Sequence, residues 1–345
     1  MMLREFLFEA GCYFASCHAA TVVETQEGDL LCAWFAGTHE GHPDVAIWMA
    51  RRHNGAWGEP YTVADVPGVP LWNPVLYRDA RNVIWLFYKV APSIPAWSGA
   101  YLRSTDGGRT WNAPILLPAG LLGPSKNKPI TLSNGEILSP TSCETWRSWA
   151  CWVEISADGG ETWRKVGPIA APWDWAPPVA DPEGDDLASA AWDAERSALR
   201  LPQGTHGVIQ PTAWEWAPGQ VRMLMRSTAT VGVVCLADSS NYGHTWSPLR
   251  RTGIPNPNSG LDAVRLADGR IVLACNPTVE GRTPLSLLIS PDNGETWPTR
   301  IDLETSAGEY SYPSIIQGRD GRIHCVYTYR REQIAYVSLM PEELP

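Results

Sequence analysis

The chain has no long apolar run, no excess of positive charge and no paired cysteine spacing, and each absence removes a class of protein. The N-terminal stretch Met-Met-Leu-Arg-Glu-Phe-Leu-Phe-Glu alternates charge with apolar residues. Neither a signal peptide nor a membrane span is therefore expected, and the expected location is cytoplasmic. Lys and Arg total 27 against 37 Asp and Glu, a net charge of −10. That balance argues against nucleic acid or an anionic membrane as the main partner, while leaving room for a local basic pocket. The eight cysteines, Cys12, Cys17, Cys32, Cys143, Cys151, Cys235, Cys275 and Cys325, show no metal-ligand spacing and mostly lie in apolar strand-like runs. They read as buried free thiols. What the chain does have is turn formers and large plugs: Pro 30, Gly 30 and Trp 18, with 44% hydrophobic residues for a core.

An eight-residue run organises the sequence. Ser156-Ala-Asp-Gly-Gly-Glu-Thr-Trp163 has close copies at Ser104–Trp111, Ser239–Trp246 and Ser290–Trp297, all sharing Ser first, Gly fifth, Thr seventh and Trp eighth. Asp or Asn with Gly makes a tight hairpin turn, the hydroxyls and carboxylate can bond turn amides, and the Trp is a plug. The third position falls at Asp106, Asp158, Asn241 and Asp292, so the steps are 52, 83 and 51 residues. Two of these steps match one four-stranded propeller blade. A fainter first copy reads Arg52-His-Asn-Gly-Ala-Trp57.

Between these turns the order strand, turn, strand, loop, strand recurs. Innermost strands are expected to start near His18, Trp72, Lys126, Val208, Asn258 and Tyr312, each followed by a turn at Gly28, Asp79–Asn82, Gly135, Gly219, Gly269 or Gly321. The expectation is an all-β, six-bladed β-propeller forming a single domain over residues 1–345. The last blade lacks a terminal strand, which residues 3–9 should supply, closing the ring and removing a sheet edge. An insertion at about 170–206, between the third and fourth blades, reads as a long loop over the site or at an oligomer contact. Nothing in the sequence indicates an oligomer directly.

Asp-box turns on a six-bladed layout resemble the sialidase (neuraminidase, BNR-repeat) superfamily over nearly the whole chain. The resemblance implies three arginines on a substrate carboxylate, an acidic acid/base on a loop of the first blade, and a Tyr nucleophile paired with a Glu. Met223-Leu-Met-Arg-Ser227 resembles the second arginine segment and offers Arg226; Asn276–Leu285 resembles the third and offers Arg282. At the first arginine's place the chain has His18. Glu309-Tyr-Ser-Tyr-Pro-Ser314 resembles the nucleophile segment, with Tyr312 the best match and Tyr310 two residues away on the same expected face. Gln210 falls where the partner Glu should stand, and an amide cannot act as a base. Glu40 stands about where the family's acid does, with Asp44 beyond it. His39, His42 and Asp44 have no supporting fourth ligand, so neither metal nor cofactor is expected.

Other residues are expected at the same mouth because the inner strands converge there. Trp72 offers a ring to a sugar face, and Asn73, Asp262 and the pair Lys126 and Lys128 offer polar contacts. Cations beside Arg226 and Arg282 suit a carboxylate-bearing sugar. Three functions follow: hydrolysis of a terminal acidic sugar, with Glu40 as acid and Tyr312 as nucleophile; β-elimination on a uronic acid, with His18 and a Tyr moving the proton; or a glycan-binding propeller without catalysis.

Overall fold

The computed structural model describes residues 2–175 and 205–344. Its regular structure is β-strand, apart from single 3₁₀ turns at Ile94–Ala96, Trp173–Trp175 and Pro341–Glu343. Most of the insertion expected at 170–206 lies outside the described residues. No helix of the described residues is long and apolar enough to cross a membrane.

Among the described residues the strands form five sheets. The first comprises Ser16–Glu24, Leu30–Gly37 and Ala46–His53, with Ala56–Trp57 and Tyr61–Ala64 both on the last of these. The second runs Leu71–Arg78, Ile84–Val90, Ser98–Ser104 and Ile115–Leu116. The largest has eight strands and joins two antiparallel units, one built on Ile137–Glu144 and Ser148–Ser156, the other on His206–Ala217, Gln220–Ser227, Val233–Ser239 and Arg250–Pro255. A short parallel contact, Ser148 with His206 and Trp149 with Gly207, joins them. The sequence anticipates separate sheets here. Gly207 permits the fusion, because a Cβ on it would lie 1.9 Å from the Trp149 carbonyl oxygen. The fourth sheet runs Asp262–Arg265, Ile271–Cys275, Leu285–Ser290 and Thr299–Glu304. In the fifth, Tyr310–Gln317, Ile323–Tyr329 and Gln333–Leu339 are completed by Leu3–Phe6, which pairs antiparallel with the C-terminal strand as the sequence predicts.

Hydrogen bonds link the starts of successive units. Leu76 N donates to Thr21 Oγ1 (3.1 Å), Asn73 Nδ2 to the Ser125 carbonyl (3.0 Å), and Asn127 Nδ2 to the Gln210 carbonyl (3.0 Å). Ala263 N donates to Thr212 Oγ1 (3.1 Å), Ile315 N to Asp262 Oδ2 (2.9 Å), and Val22 N to Ser314 Oγ (3.4 Å), which returns to the first sheet. Hydroxyls of Thr21, Thr212 and Ser314 and the Asp262 carboxylate satisfy backbone amides, and the side-chain amides of Asn73 and Asn127 satisfy carbonyls, that a neighbouring ladder does not reach.

The four repeated turns share one hydrogen-bond pattern. In Ser104–Trp111 the Ser104 hydroxyl donates to Asp106 Oδ1 (2.7 Å) and accepts from Gly108 N (2.8 Å), while Asp106 accepts from the amide and hydroxyl of Thr110. The turns at Asp158 and Asp292 repeat it, and Asn241 reproduces it with an amide. Three of the four turns also latch onto the preceding unit through an arginine. Arg51, Arg81 and Arg222 donate to the carbonyls of Gly107, Gly159 and Asn293. Gly160, at φ +93°, sits so close over Trp85 that a Cβ would lie 2.6 Å from the ring.

Buried clusters fill the spaces between sheets. Leu31, Ile47, Leu76, Leu86 and Leu102 join the first sheet to the second, while Cys17, Trp34, Val326 and Tyr336 join the last to the first. All eight cysteines are free; six are buried, Cys12 is exposed and Cys143 is half-buried. Burial pushes the buried thiols up from their ordinary value.

Candidate active site

Each unit's first hairpin contains one cross-strand pair whose partners are six residues apart: Glu24–Leu30, Arg78–Ile84, Thr131–Ile137, Glu215–Val221, Arg265–Ile271 and Gln317–Ile323. Counting back five residues from the first member of each gives Ala19, Asn73, Lys126, Gln210, Gly260 and Tyr312. Four of these six have left-handed backbones: Ala19 (φ 58°), Asn73 (39°), Gln210 (51°) and Tyr312 (52°). The strand register shifts at the same four places. Asn73, Gln210 and Tyr312 are each followed by a proline, which has no amide to give to a ladder. The repeated bulge turns the side chain at this position out of the sheet's alternation. Left-handed non-glycine residues cost on the order of 1–3 kcal/mol each.

A cleft of about 160 Å³ opens at this level. Of the residues singled out in the sequence, it is lined by His18, Glu40, Asn73, Gln210, Arg226, Arg282 and Tyr312. Tyr312 is the hub. Its Oη accepts from Arg226 Nη1 (2.7 Å) and Gln210 Nε2 (3.1 Å), and the guanidinium carbons of Arg226 and Arg282 each lie 5.6 Å from its ring centroid. Arg226 is aimed by two further acceptors, Gln210 Oε1 and Asn258 Oδ1, both at 2.9 Å. The His18 ring packs 4.2 Å from the Tyr312 ring, centroid to centroid. Burial, then Arg331, Arg282, Arg226 and Lys126, hold its imidazole well below the usual value, so His18 is neutral; its Nδ1 has no hydrogen-bond partner among the described residues.

The structure does not bring the other six candidates into the cleft. Asp44 bonds the Thr38 hydroxyl (2.6 Å) and amide, which, with His42, hold its carboxyl down at about 2 despite an opposing effect of desolvation. Lys128 is spent on both oxygens of Asp262 (3.0 and 2.8 Å) and the Ala263 carbonyl. Asp262 is buried and also accepts from Thr212 Oγ1 and Ile315 N. Lys126 lies beneath, its ammonium 5.9 Å from the Tyr312 ring centroid and bonded to Asn127 Oδ1 and to the Leu261 and Pro313 carbonyls. Trp72 is buried, donating to the Ala91 carbonyl, 6.0 Å behind Trp97. Tyr310 does not share a face with Tyr312. The left-handed backbone at Tyr312 breaks the alternation of two, and Tyr310 lies in the buried cluster that includes Leu285 and Tyr327, its ring 5.1 Å from that of Tyr329. Among the described residues no group of three or more His, Cys, Asp or Glu is arranged to hold a metal.

Three charged residues that the sequence did not single out complete the site. Arg331 lines the cleft and donates to Glu40 Oε2 (2.6 Å) and to both oxygens of Glu309 (3.0 and 3.1 Å). Glu309 also accepts from Arg282 (2.6 Å); burial alone would raise its carboxyl, but Arg282 and Arg331 hold it below the usual range. Glu144 is the third: its Oε1 is shut off from solvent without a hydrogen-bond partner among the described residues. Burial, with Glu40 adding and Arg226 opposing, pushes its carboxyl up to about 7. Trp97 and Trp149 form aromatic walls. A signal for Arg331 was present in the sequence, since Tyr329-Arg330-Arg331-Glu332 falls where a hairpin turn must form. Both arginines are left-handed (φ 54° and 60°), where Asn-Gly is favoured.

The family model for the BNR repeat-like domain matches residues 28–325. A sequence comparison with curated proteins finds no match. Among solved structures, a Hadza microbial sialidase is similar with 16% identity and a TM-score of 0.77, covering 99% of this chain and 69% of that one. The NanB sialidase from Streptococcus pneumoniae is similar at 15% identity and 0.75, covering 99% and 71%. An intramolecular trans-sialidase from Ruminococcus gnavus is similar at 13% identity and 0.72, covering 99% and 97%. At these identities the likeness is one of fold. With the family match over most of its length, this chain belongs to the BNR-repeat, sialidase-like superfamily.

Proposed function

We propose that the protein is an exo-acting glycoside hydrolase that releases a terminal acidic sugar, on a single-domain, six-bladed propeller with its mouth at the cleft. The hydrogen bonds running from unit to unit and back to the first sheet support the ring. The observation that carries the activity is the convergence of Arg226, Arg282 and Arg331 on one small cleft around Tyr312. Three guanidiniums suit a carboxylate, since each offers paired donors in a fixed plane. Arg331 supplies the third cation, which His18 cannot.

In this reading the sugar carboxylate displaces part of the Glu40–Arg331–Glu309–Arg282 chain, and Tyr312 Oη attacks the anomeric carbon. The phenol proton passes to neutral His18, which does the work that Gln210 cannot. A carboxyl of the cleft protonates the departing oxygen, and water then cleaves the tyrosyl–sugar bond. The structural relatives are sialidases and a trans-sialidase, which is consistent with acidic-sugar chemistry. The sugar and linkage are to be found by assaying wild-type protein on a panel of sialosides and uronosides, with Tyr312→Phe as the control that should lose turnover. Failure of every acidic glycoside to turn over would leave a glycan-binding propeller.

The neutral His18 beside Tyr312, whose Nδ1 has no hydrogen-bond partner among the described residues, also favours a second reading, β-elimination on a uronic acid. Product mass separates the two: hydrolysis adds water, whereas elimination yields an unsaturated sugar absorbing in the near ultraviolet.

A further inference from the structure

We infer that Glu144, not Glu40, is the proton donor to the leaving oxygen, an assignment that rests on the hydrolase reading above. Both carboxyls line the same cleft, but their partners differ. Glu40 Oε2 accepts from Arg331 Nη1 at 2.6 Å, so protonating it would break an ion pair and leave the guanidinium with less to neutralise it. Glu144 faces no such loss. Its buried Oε1 has no partner among the described residues, and it stands at the end of strand Ile137–Glu144, paired with Trp149 across the hairpin. The tip of that hairpin is held by Trp149 Nε1 donating to the Thr145 carbonyl (3.1 Å) and by Thr145 Oγ1 donating to the Ser148 carbonyl (2.7 Å). The acid is thus carried on a hydrogen-bonded hairpin.

Burial keeps this carboxyl protonated near neutrality, while Arg226 opposes and Glu40 reinforces the effect; His18, Arg282 and Arg331 are the other titratable or charged groups of the cleft apart from Tyr312. In the first half-reaction the Glu144 proton moves to the glycosidic oxygen as the bond to the anomeric carbon breaks and its electron pair stays on that oxygen. In the second, the Glu144 carboxylate takes a proton from water as the water oxygen bonds to the anomeric carbon. The phenolate of Tyr312 departs and regains its proton from His18. Glu144 ends protonated, and the net change is addition of one water across the glycosidic bond. An acid with these surroundings is active below about 7 and fails as pH rises through that value.

The test compares two glycosides of the same acidic sugar, one with a nitrophenyl leaving group and one with a simple alkyl alcohol. A good leaving group needs no proton, so Glu144→Gln should lose on the order of 10²–10⁴-fold in kcat/KM on the alkyl glycoside and less than about tenfold on the aryl one. The fall in alkyl-glycoside activity on the basic side should also disappear in this variant. Glu40→Gln should reduce both substrates alike, because it disturbs Arg331 rather than the proton. An unfolding midpoint and circular dichroism spectrum matching wild type show that Glu144→Gln is folded. Equal losses on both substrates, or none, overturn the assignment while leaving the hydrolase reading intact. Absence of wild-type turnover on every acidic glycoside overturns both.

Discussion

Gln210 and Tyr312 occupy the same position in two different units of the fold, both with left-handed backbones, and their side chains meet at 3.1 Å with Gln210 Nε2 donating to Tyr312 Oη. Because Arg226 donates to the same oxygen, Tyr312 receives two donors and, among the described residues, no hydrogen-bonded acceptor for its proton; His18, its base in the proposed reaction, stands beside the ring without such a bond. Gln210→Glu would reverse one of these contacts, placing a base on the phenol while keeping a partner for Arg226. It should raise kcat on an acidic glycoside by about tenfold or more, whereas Tyr312→Phe should lower it at least a hundredfold. Steady-state kinetics check both; a fall in Gln210→Glu as deep as in Gln210→Ala would remove Tyr312 from the nucleophile's role.

Arg330 and Arg331 separate fold from function at one turn. Both hold φ values that favour glycine, and the Arg330 guanidinium makes long hydrogen bonds to Tyr310 Oη and the Ala307 carbonyl, both at 3.4 Å, and an exposed cation–π contact with the Tyr329 ring at 5.4 Å. Arg330→Gly should therefore stabilise the protein by about 1 kcal/mol in urea unfolding and leave KM unchanged. Arg331→Gly relieves similar strain but frees Glu40 and leaves Glu309 to Arg282, so its stability should change little while KM for an acidic glycoside rises about tenfold or more.

The repeat made the architecture legible, because its turns carry their own hydrogen bonds and latches within a few residues of sequence. The starts of the inner strands located His18, Asn73 and Tyr312 for the same reason, and the distance from Arg226 located Gln210. Long-range pairing was not legible. Lys126 and Lys128 read as free cations, yet Lys128 is neutralised by Asp262, a residue 134 positions away that reaches it only once the units are assembled. Tyr310 failed on a local detail, the bulge at Tyr312, which no two-residue period contains. Glu144 and Arg331 sit at or near hairpin tips, outside the inner strands. For Glu144 the sequence has no mark, since its character comes from burial.

The repeated turns predict an acid limb of stability. Hydrogen bonds from the Thr hydroxyl, then the Thr amide, hold Asp106, Asp158 and Asp292 below the usual carboxylate range, Asp292 at about 2. Since the folded values are depressed, their contribution is present above the unfolded value near 4 and is lost as pH falls toward 2. Asn241 already forms the same turn without a titrating group. Asp106→Asn, Asp158→Asn and Asp292→Asn combined should therefore keep the fold and flatten the loss of thermal midpoint between pH 4 and 2. An unchanged slope would show that other carboxylates set acid stability.

Lys126 tests whether the base of the cleft is held by a buried cation. Its ammonium donates to Asn127 Oδ1 (2.8 Å), the Leu261 carbonyl (3.2 Å) and the Pro313 carbonyl, tying together three units directly under Tyr312. Lys126→Met keeps the length but leaves those acceptors without a donor, and should cost about 2 kcal/mol at pH 7. Burial lowers the Lys126 ammonium to about 8, with Asp262 opposing, so between 8 and its unfolded value the unfolded chain binds a proton that the folded one does not. Stability from this residue therefore rises with pH across that window. The gap between wild type and Lys126→Met in urea midpoints should widen from pH 8 to 10; a gap that narrows would mean that the folded chain holds this proton more tightly than the unfolded one, and that the ammonium's hydrogen bonds and Asp262 outweigh its burial.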